Sequence, residues 1–307
     1  METQTVREVS IALEWSDAFS AYLAQTGRSS KTISAYVQDL KLFAEWLAVE
    51  NQAPFAVAQV TSWDLRAYRE FSFSSKVAPA TWNRRRCALR VFCAWLVASG
   101  VLSYDPFQGV EAAEEQAPAP RWLEHKEFKR VLNQLEVEYN GAKSDYGKWQ
   151  AARDQAMVAL MAFAGLRVAE LVALDLADVQ LSDRSGRVTI RRGKGDKKRV
   201  VPLGLEARRA LQIWLGRRGS PAGALFTSKS NGRLTTRSVE RTVQHIGAAV
   251  GVKMSPHDLR HTFAKLLVDK GRPLTVAKML LGHARLETTA RYAMPGYRDL
   301  ENAVEGL

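Results

Sequence analysis

The stretch that decides how this chain reads is Ser255-Pro256-His257-Asp258-Leu259-Arg260-His261, followed by Leu280-Leu281-Gly282-His283 and, nine residues later, by Tyr292. Ser255 is a capping residue, Pro256 suits the first helical position, and Asp258 stands where it can close a reciprocal cap. A helix starting here puts His257 in its first turn and Arg260 three residues further along roughly the same face. Free backbone amides, the positive end of the helix dipole, an imidazole and a guanidinium then converge on one spot, which suits an anion. The blander alternative is a capped surface helix carrying incidental polar side chains. His257 and His261 also resemble the two histidines of the zinc-protease pattern HExxH. That chemistry needs a glutamate where Asp258 stands, and no third ligand follows at a recognised spacing, so no metal site is expected.

Working outward, Arg167 lies in the run Gly165-Leu166-Arg167-Val168-Ala169-Glu170. Gly165 ends one helix, the next begins near Arg167, and Glu170 one turn later can pair with the guanidinium and fix its direction. Lys194 sits between glycines in the turn of Arg191-Arg192-Gly193-Lys194-Gly195-Asp196, where a hairpin tip can approach another backbone closely. Lys197 and Lys198 nearby dilute that assignment. A lone helical tyrosine such as Tyr292 is ordinarily a core residue.

The 307 residues are enough for two domains, and 46% hydrophobic with 25% charged residues is the balance of a soluble globular protein. The formal net charge of +12 favours a polyanionic partner, nucleic acid before membrane, since no polybasic stretch adjoins an anchor or lipidation signal. No apolar run approaches the roughly 18 residues needed to cross a bilayer. The two cysteines, Cys87 and Cys93, have neither disulfide nor metal spacing and read as reduced core residues of a cytoplasmic protein.

Apolar periodicity predicts helices over 11–25, 30–50, 62–71 and 79–98 in the first third. The last of these carries Arg84, Arg85, Arg86 and Arg90 largely on its outer face, either as a solvated surface or as phosphate contacts. Residues 111–120, acidic and broken by Pro118 and Pro120, read as a linker between a domain at 1–110 and another at 121–307. In the second domain, helices are expected over 124–138 and 148–164, then strands over 179–181, 187–192 and 198–203, then further helices. The fold class is mainly α with a small antiparallel β-sheet.

In this order, Arg167, a hairpin lysine, His257-x-x-Arg260, Leu280-Leu281-Gly282-His283 and Tyr292 resemble the active-site signature of the tyrosine recombinase (phage integrase) family, and the Xer group in particular. The resemblance covers nearly the whole chain. It implies an N-terminal helical core-binding (SAM-like) domain, a linker and an α+β catalytic domain that together clamp double-stranded DNA at a recombination site. Tyr292 would attack a phosphodiester to give a 3′-phosphotyrosyl bond. Arg167 and Arg260 would bind the non-bridging oxygens, His257 would assist proton removal, and His283 would hydrogen-bond the phosphate. Lys194 would protonate the leaving 5′ oxygen. No cofactor is implied, neither ATP nor metal. The family works as a tetramer on two duplexes, and the segment 294–307, with Leu300, Val304 and Leu307, resembles its tail that docks on a neighbouring protomer. Arg84, Arg85, Arg86 and Arg90 are the expected phosphate contacts of the first domain.

Two stretches read as longer than a compact Xer protein needs: 139–148, and the path from Arg167 to the hairpin, 183–186 included. A mobile-element integrase or cointegrate resolvase therefore fits as well as a chromosome-dimer resolvase. The alternatives are a type IB topoisomerase and a DNA-binding module without catalysis.

Overall fold

The computed structural model describes residues 15–114, 120–191, 198–219, 222–283, 285–293 and 304–305. The chain divides into two units, Met1–Ala117 and Pro118–Leu307.

In the first unit, local sequence sets the helix boundaries. Helices α1 (Trp15–Gln25), α2 (Ser30–Glu50), α3 (Ser62–Ser74) and α4 (Pro79–Ala98) follow one another. Ser29 caps α2 by accepting from the Thr32 N–H, and Thr61 and Asp64 form a reciprocal cap on α3. Pro79 opens α4. The apolar stripes meet in an aromatic core. Phe19 packs edge-on against Phe92 with centroids 5.1 Å apart, and Phe43 against Tyr68 at 5.1 Å. Helix α3 runs past the expected end at Phe71, carrying Phe73 to the Trp82 ring at 5.9 Å. Cys93 is buried as expected, but Cys87 is exposed because it lies a turn and a half away, off the apolar stripe.

The second unit is built around α6 (Asp145–Ala164), which is buried along most of its length. Ala151, Ala152, Ala156, Ala159, Ala162 and Ala164 give it a narrow surface that neighbours can approach on every side. It packs against α5 (His125–Gly141), α8 (Leu205–Arg218) and α10 (Pro256–Asp269). Most of 139–148 is helical: α5 continues to Gly141, α6 starts at Asp145, and Ser144 caps it, accepting from the Gly147 N–H at 3.0 Å. Short α7 (Val168–Ala173) follows α6.

Strands β1 (Val179–Leu181), β2 (Gly186–Ile190) and β3 (Arg199–Pro202) form an antiparallel sheet in the order β1-β2-β3. The stretch at 183–186 is a tight β1–β2 turn, closed by Ser182 N–H on the Ser185 carbonyl at 2.8 Å. Val188 pairs with Val201, and both are fully buried against the helices. Helices α9 (Thr236–Ala249), α11 (Leu274–Leu281) and α12 (Glu287–Ala290) complete the unit. No helix of the described residues is long and apolar enough to cross a membrane.

One close approach in this unit tests the packing. At Gly247, in the last turns of α9, an added Cβ would lie 2.3 Å from the Val252 carbonyl oxygen. Backbone cannot yield as a side-chain tip can, so Gly247→Ala should cost about 1–3 kcal/mol and several degrees of melting temperature. Gly216→Ala in α8, where a Cβ meets nothing within 4 Å, should leave melting unchanged or slightly raised. Equal melting of the two variants in a thermal scan would contradict this packing.

Candidate active site

The site begins with one carboxylate. Glu170 is 5% exposed, on the short helix α7, and two arginines converge on it. Arg199, at the start of β3, makes a two-pronged pair with both oxygens at 2.8 Å. Arg167 caps α7: its backbone N–H reaches Glu170 Oε2 at 2.9 Å and its Nη1 reaches Oε1 at 2.8 Å. Burial alone would raise the Glu170 carboxyl, but the bonds from Arg199 and Arg167 outweigh it and hold it below the usual range.

Helix ends supply the next layer. Arg167 Nη2 donates to the Gly282 carbonyl at 3.1 Å. Arg260, 4% exposed on α10, donates from Nη1 to the Gly165 carbonyl and from Nη2 to the Leu281 carbonyl at 2.6 Å. These carbonyls belong to the C-termini of α6 and α11, where helices leave acceptors unpaired. Gly165 and Gly282 sit there in the left-handed region, with φ of 67° and 63°. Gly165 is doubly constrained, since a Cβ would lie 2.4 Å from the Phe263 ring. A guanidinium has five donors in a fork, so these carbonyls use only part of each arginine's capacity. Burial, with Arg167 alongside, pulls Arg260 down to about 9, still charged at neutral pH.

Tyr292 stands 3% exposed among Phe263, Ala264 and Leu281. Its hydroxyl lies 2.5 Å from His261 Nδ1. Burial raises the phenol above its usual value, and Arg260 and Arg291 only partly offset that. His283 follows Gly282 and places Nδ1 2.9 Å from the Thr289 hydroxyl. Burial and the neighbouring cations, Arg260 and Arg167 foremost, push His283 down to about 4. His261 is likewise pushed down to about 4 by burial and then by His257. Both imidazoles are therefore neutral at pH 7, and three guanidiniums face one carboxylate. The surplus positive charge beside a tyrosine hydroxyl is a setting for a phosphodiester and for the extra negative charge of its transition state.

The structure thus brings together Arg167, Arg260, His283 and Tyr292. His257 is on the same helix, but it is exposed and its ring centroid lies 6.2 Å from that of His261. The imidazole touching Tyr292 is His261, one turn further along α10. Sequence weighed His261 only as a metal ligand and did not single out Arg199. No local pattern marks Arg199; folding brings its guanidinium against Gly282, where an added Cβ would meet it at 3.0 Å. Lys194 lies outside the described residues. Among those described, no group of three or more His, Cys, Asp or Glu is placed to hold a metal ion.

In the first unit, the four arginines of α4 differ. Arg84 pairs with the buried Asp39 at 2.5 Å, and Arg85 Nη1 donates to the Tyr68 hydroxyl at 3.4 Å. Arg86 Nε donates to the Val110 carbonyl at 2.7 Å, with its guanidinium 5.2 Å from the Phe107 ring centroid. Arg90 is exposed.

Residues 121–298 match the Phage integrase family, and residues 17–100 match the phage integrase N-terminal SAM-like domain. The chain is 36% identical over 288 residues to tyrosine recombinase XerC of Mycobacterium sp. (strain JLS), covering 90% of this chain and 92% of that protein. It is 35% identical over 280 residues to tyrosine recombinase XerD of Ralstonia nicotianae (strain ATCC BAA-1114 / GMI1000), covering 87% and 85%. Among solved structures, XerH site-specific recombinase bound to palindromic difH substrate (a post-cleavage complex) gives a TM-score of 0.71 at 24% identity, covering 89% of this chain and 78% of that one. A lambda integrase(75-356) dimer bound to a COC' core site gives 0.68 at 20% identity, covering 91% and 93%. At those identities the structures establish the shared two-domain fold. Fold, site and curated relatives define a tyrosine site-specific recombinase. The chain belongs to the phage integrase family and is Xer-like within it.

The depressed histidines make a pH prediction. Below about 6.5 the unfolded chain takes up a proton that folded His283 refuses, so stability from this group is complete above 6.5 and is lost as pH falls toward 4. Asp154, raised by burial to about 6, works in the opposite sense, so the measurement must be a difference. The melting-temperature gap between the native protein and His283→Gln should narrow from pH 7 to pH 5. A gap independent of pH would show that His283 is not held neutral.

Proposed function

We propose that this chain cleaves and rejoins strands of double-stranded DNA at a specific recombination site through a 3′-phosphotyrosyl bond at Tyr292. The observation that carries this is the cluster of Arg167, Arg199 and Arg260 at the ends of α6 and α11, with the Tyr292 hydroxyl held on α10's His261 and within the field of Arg260. The relatives that share the fold in complex with difH and core-site DNA support duplex DNA as the substrate.

The chemistry follows from the charges. The Tyr292 oxygen attacks phosphorus, the phenol loses its proton, and the bond to the 5′ oxygen breaks. Arg260 and Arg167 neutralise the charge that grows on the non-bridging oxygens, with forked donors that suit phosphate. His283, neutral, donates a hydrogen bond from its one ring N–H to a phosphate oxygen. Lys194 gives the departing 5′ oxygen its proton, and His257 takes part in removing the phenol proton. One phosphodiester is exchanged for another of similar energy, so rejoining is the same step reversed and needs no ATP. Cationic side chains do the work otherwise given to metal ions.

Arg90, and Arg84 from its pair with Asp39, are the first unit's phosphate contacts, while Arg85 and Arg86 shape the surface that presents them. Four protomers act on two duplexes, and segment 294–307 joins neighbours. Leu300 and Leu307 of that segment lie outside the described residues, and Val304 is 68% exposed.

Incubation with a nicked suicide duplex bearing the site should give a covalent adduct on a denaturing gel, and Tyr292→Phe should give none. An adduct from Tyr292→Phe would remove Tyr292 as the nucleophile. Absence of an adduct on every site tried would favour a binding module, and plasmid relaxation without recombinants would favour a topoisomerase. Lys194→Ala should cleave poorly, and a duplex with sulfur as the leaving 5′ atom should restore cleavage because thiolate needs no proton. Failure of that rescue would assign the acid elsewhere.

A further inference from the structure

His261 follows Arg260 directly on α10, and the two side chains diverge to different tasks. Arg260 binds the carbonyls that end α6 and α11, while His261 Nδ1 meets the Tyr292 hydroxyl at 2.5 Å with ring centroids 5.5 Å apart. We propose that His261 is a positioning residue for Tyr292, a hydrogen-bond acceptor that fixes the hydroxyl beside the arginine cluster before cleavage. This rests on Tyr292 being the nucleophile.

Three features carry the assignment. First, the Tyr292 ring is held on its flanks by Phe263, Ala264 and Leu281, which fix its plane but offer the hydroxyl no polar partner. A buried hydroxyl without an acceptor is costly and would turn the ring toward water. His261 is the acceptor that closes this side.

Second, the direction of the bond follows from the protonation states. Burial holds His261 down at about 4 and raises the phenol above its ordinary value, so both shifts favour the neutral pair. The proton therefore stays on oxygen. His261 accepts with Nδ1, which places its own proton on Nε2. A base so weak does not itself ionise the phenol here, so its task is to hold the hydroxyl, and the proton leaves by another acceptor when the phosphate arrives. Charged and titratable neighbours of His261 act on this balance from both sides: His257, Arg260 and Arg291 disfavour its protonation, and Asp258 favours it.

Third, the coupling is mechanical. The Ser255–Asp258 cap fixes the start of α10, and Arg260 and His261 emerge from its second turn. One helical turn thus sets the position of both a guanidinium and the nucleophile's hydroxyl, so neither can shift without the other.

The test uses the full chain and the nicked suicide duplex under single-turnover conditions with saturating DNA. His261→Leu should slow adduct formation about ten- to a hundredfold, with duplex affinity unchanged within about twofold. His261→Asn, whose amide oxygen can take the place of Nδ1, should recover most of the rate. In DNA-free protein, nitrogen NMR should show the Nε2–H tautomer of His261, with its Nδ1 signal moved by Tyr292→Phe. Wild-type cleavage by His261→Leu, or His261→Asn as slow as a folded His261→Leu, would overturn the proposal. So would an Nδ1–H tautomer. If His261→Leu does not fold, the asparagine variant and the tautomer decide. Tyr292→Phe reports separately on the premise: an adduct from it removes the nucleophile assignment, whereas a slow His261→Leu and a recovered His261→Asn beside an inert Tyr292→Phe leave both standing.

Discussion

The catalytic unit depends on a single buried carboxylate shared by two arginines. Without Glu170, Arg167 and Arg199 would repel each other in a poorly solvated place, and Arg260 nearby would add to the strain. With it, Arg199 is locked on both oxygens and Arg167 is held by its side chain and its backbone. The carboxylate cancels one of three positive charges and leaves the others uncompensated. That remaining charge, set by a count of side chains, is what suits the site to the phosphate of the proposed reaction.

Helix termini complete this economy of charge. Arg260 and Arg167 hydrogen-bond the last carbonyls of α6 and α11, ends that carry partial negative charge. The arginines thus rest on weak acceptors in the free protein, and a phosphate offers a stronger one. Gly165 and Gly282 let the two helices stop where their carbonyls face the guanidiniums, and the lack of a side chain at Gly165 admits Phe263, which lines the Tyr292 ring. A side chain at Gly165 would press on Phe263 and through it on the Tyr292 ring, whereas one at Gly282 would press on the Arg199 guanidinium.

Local rules made much of this legible in the chain. The Ser255-Pro256-Asp258 cap, the bounds of α2 and α4, strand β1 and the Arg167–Glu170 pair all follow from residues within four positions of one another. What escaped depends on distant partners. Arg199 reads as one more charge in a basic strand until Glu170, 29 residues earlier, is seen to meet it. His261 reads as a helix-surface polar residue until Tyr292 folds back over it. Arg86 points at Val110 and Phe107 because the chain beyond α4 returns across that face, a path no helical period reveals.

The end of β2 and the start of β3 are riveted at their feet. Arg191 is held by the buried Asp178, and Arg199 by Glu170. Because Glu170 also holds Arg167, a displacement of β3 is carried through one carboxylate to the start of α7. The sheet and that short helix therefore move as one piece.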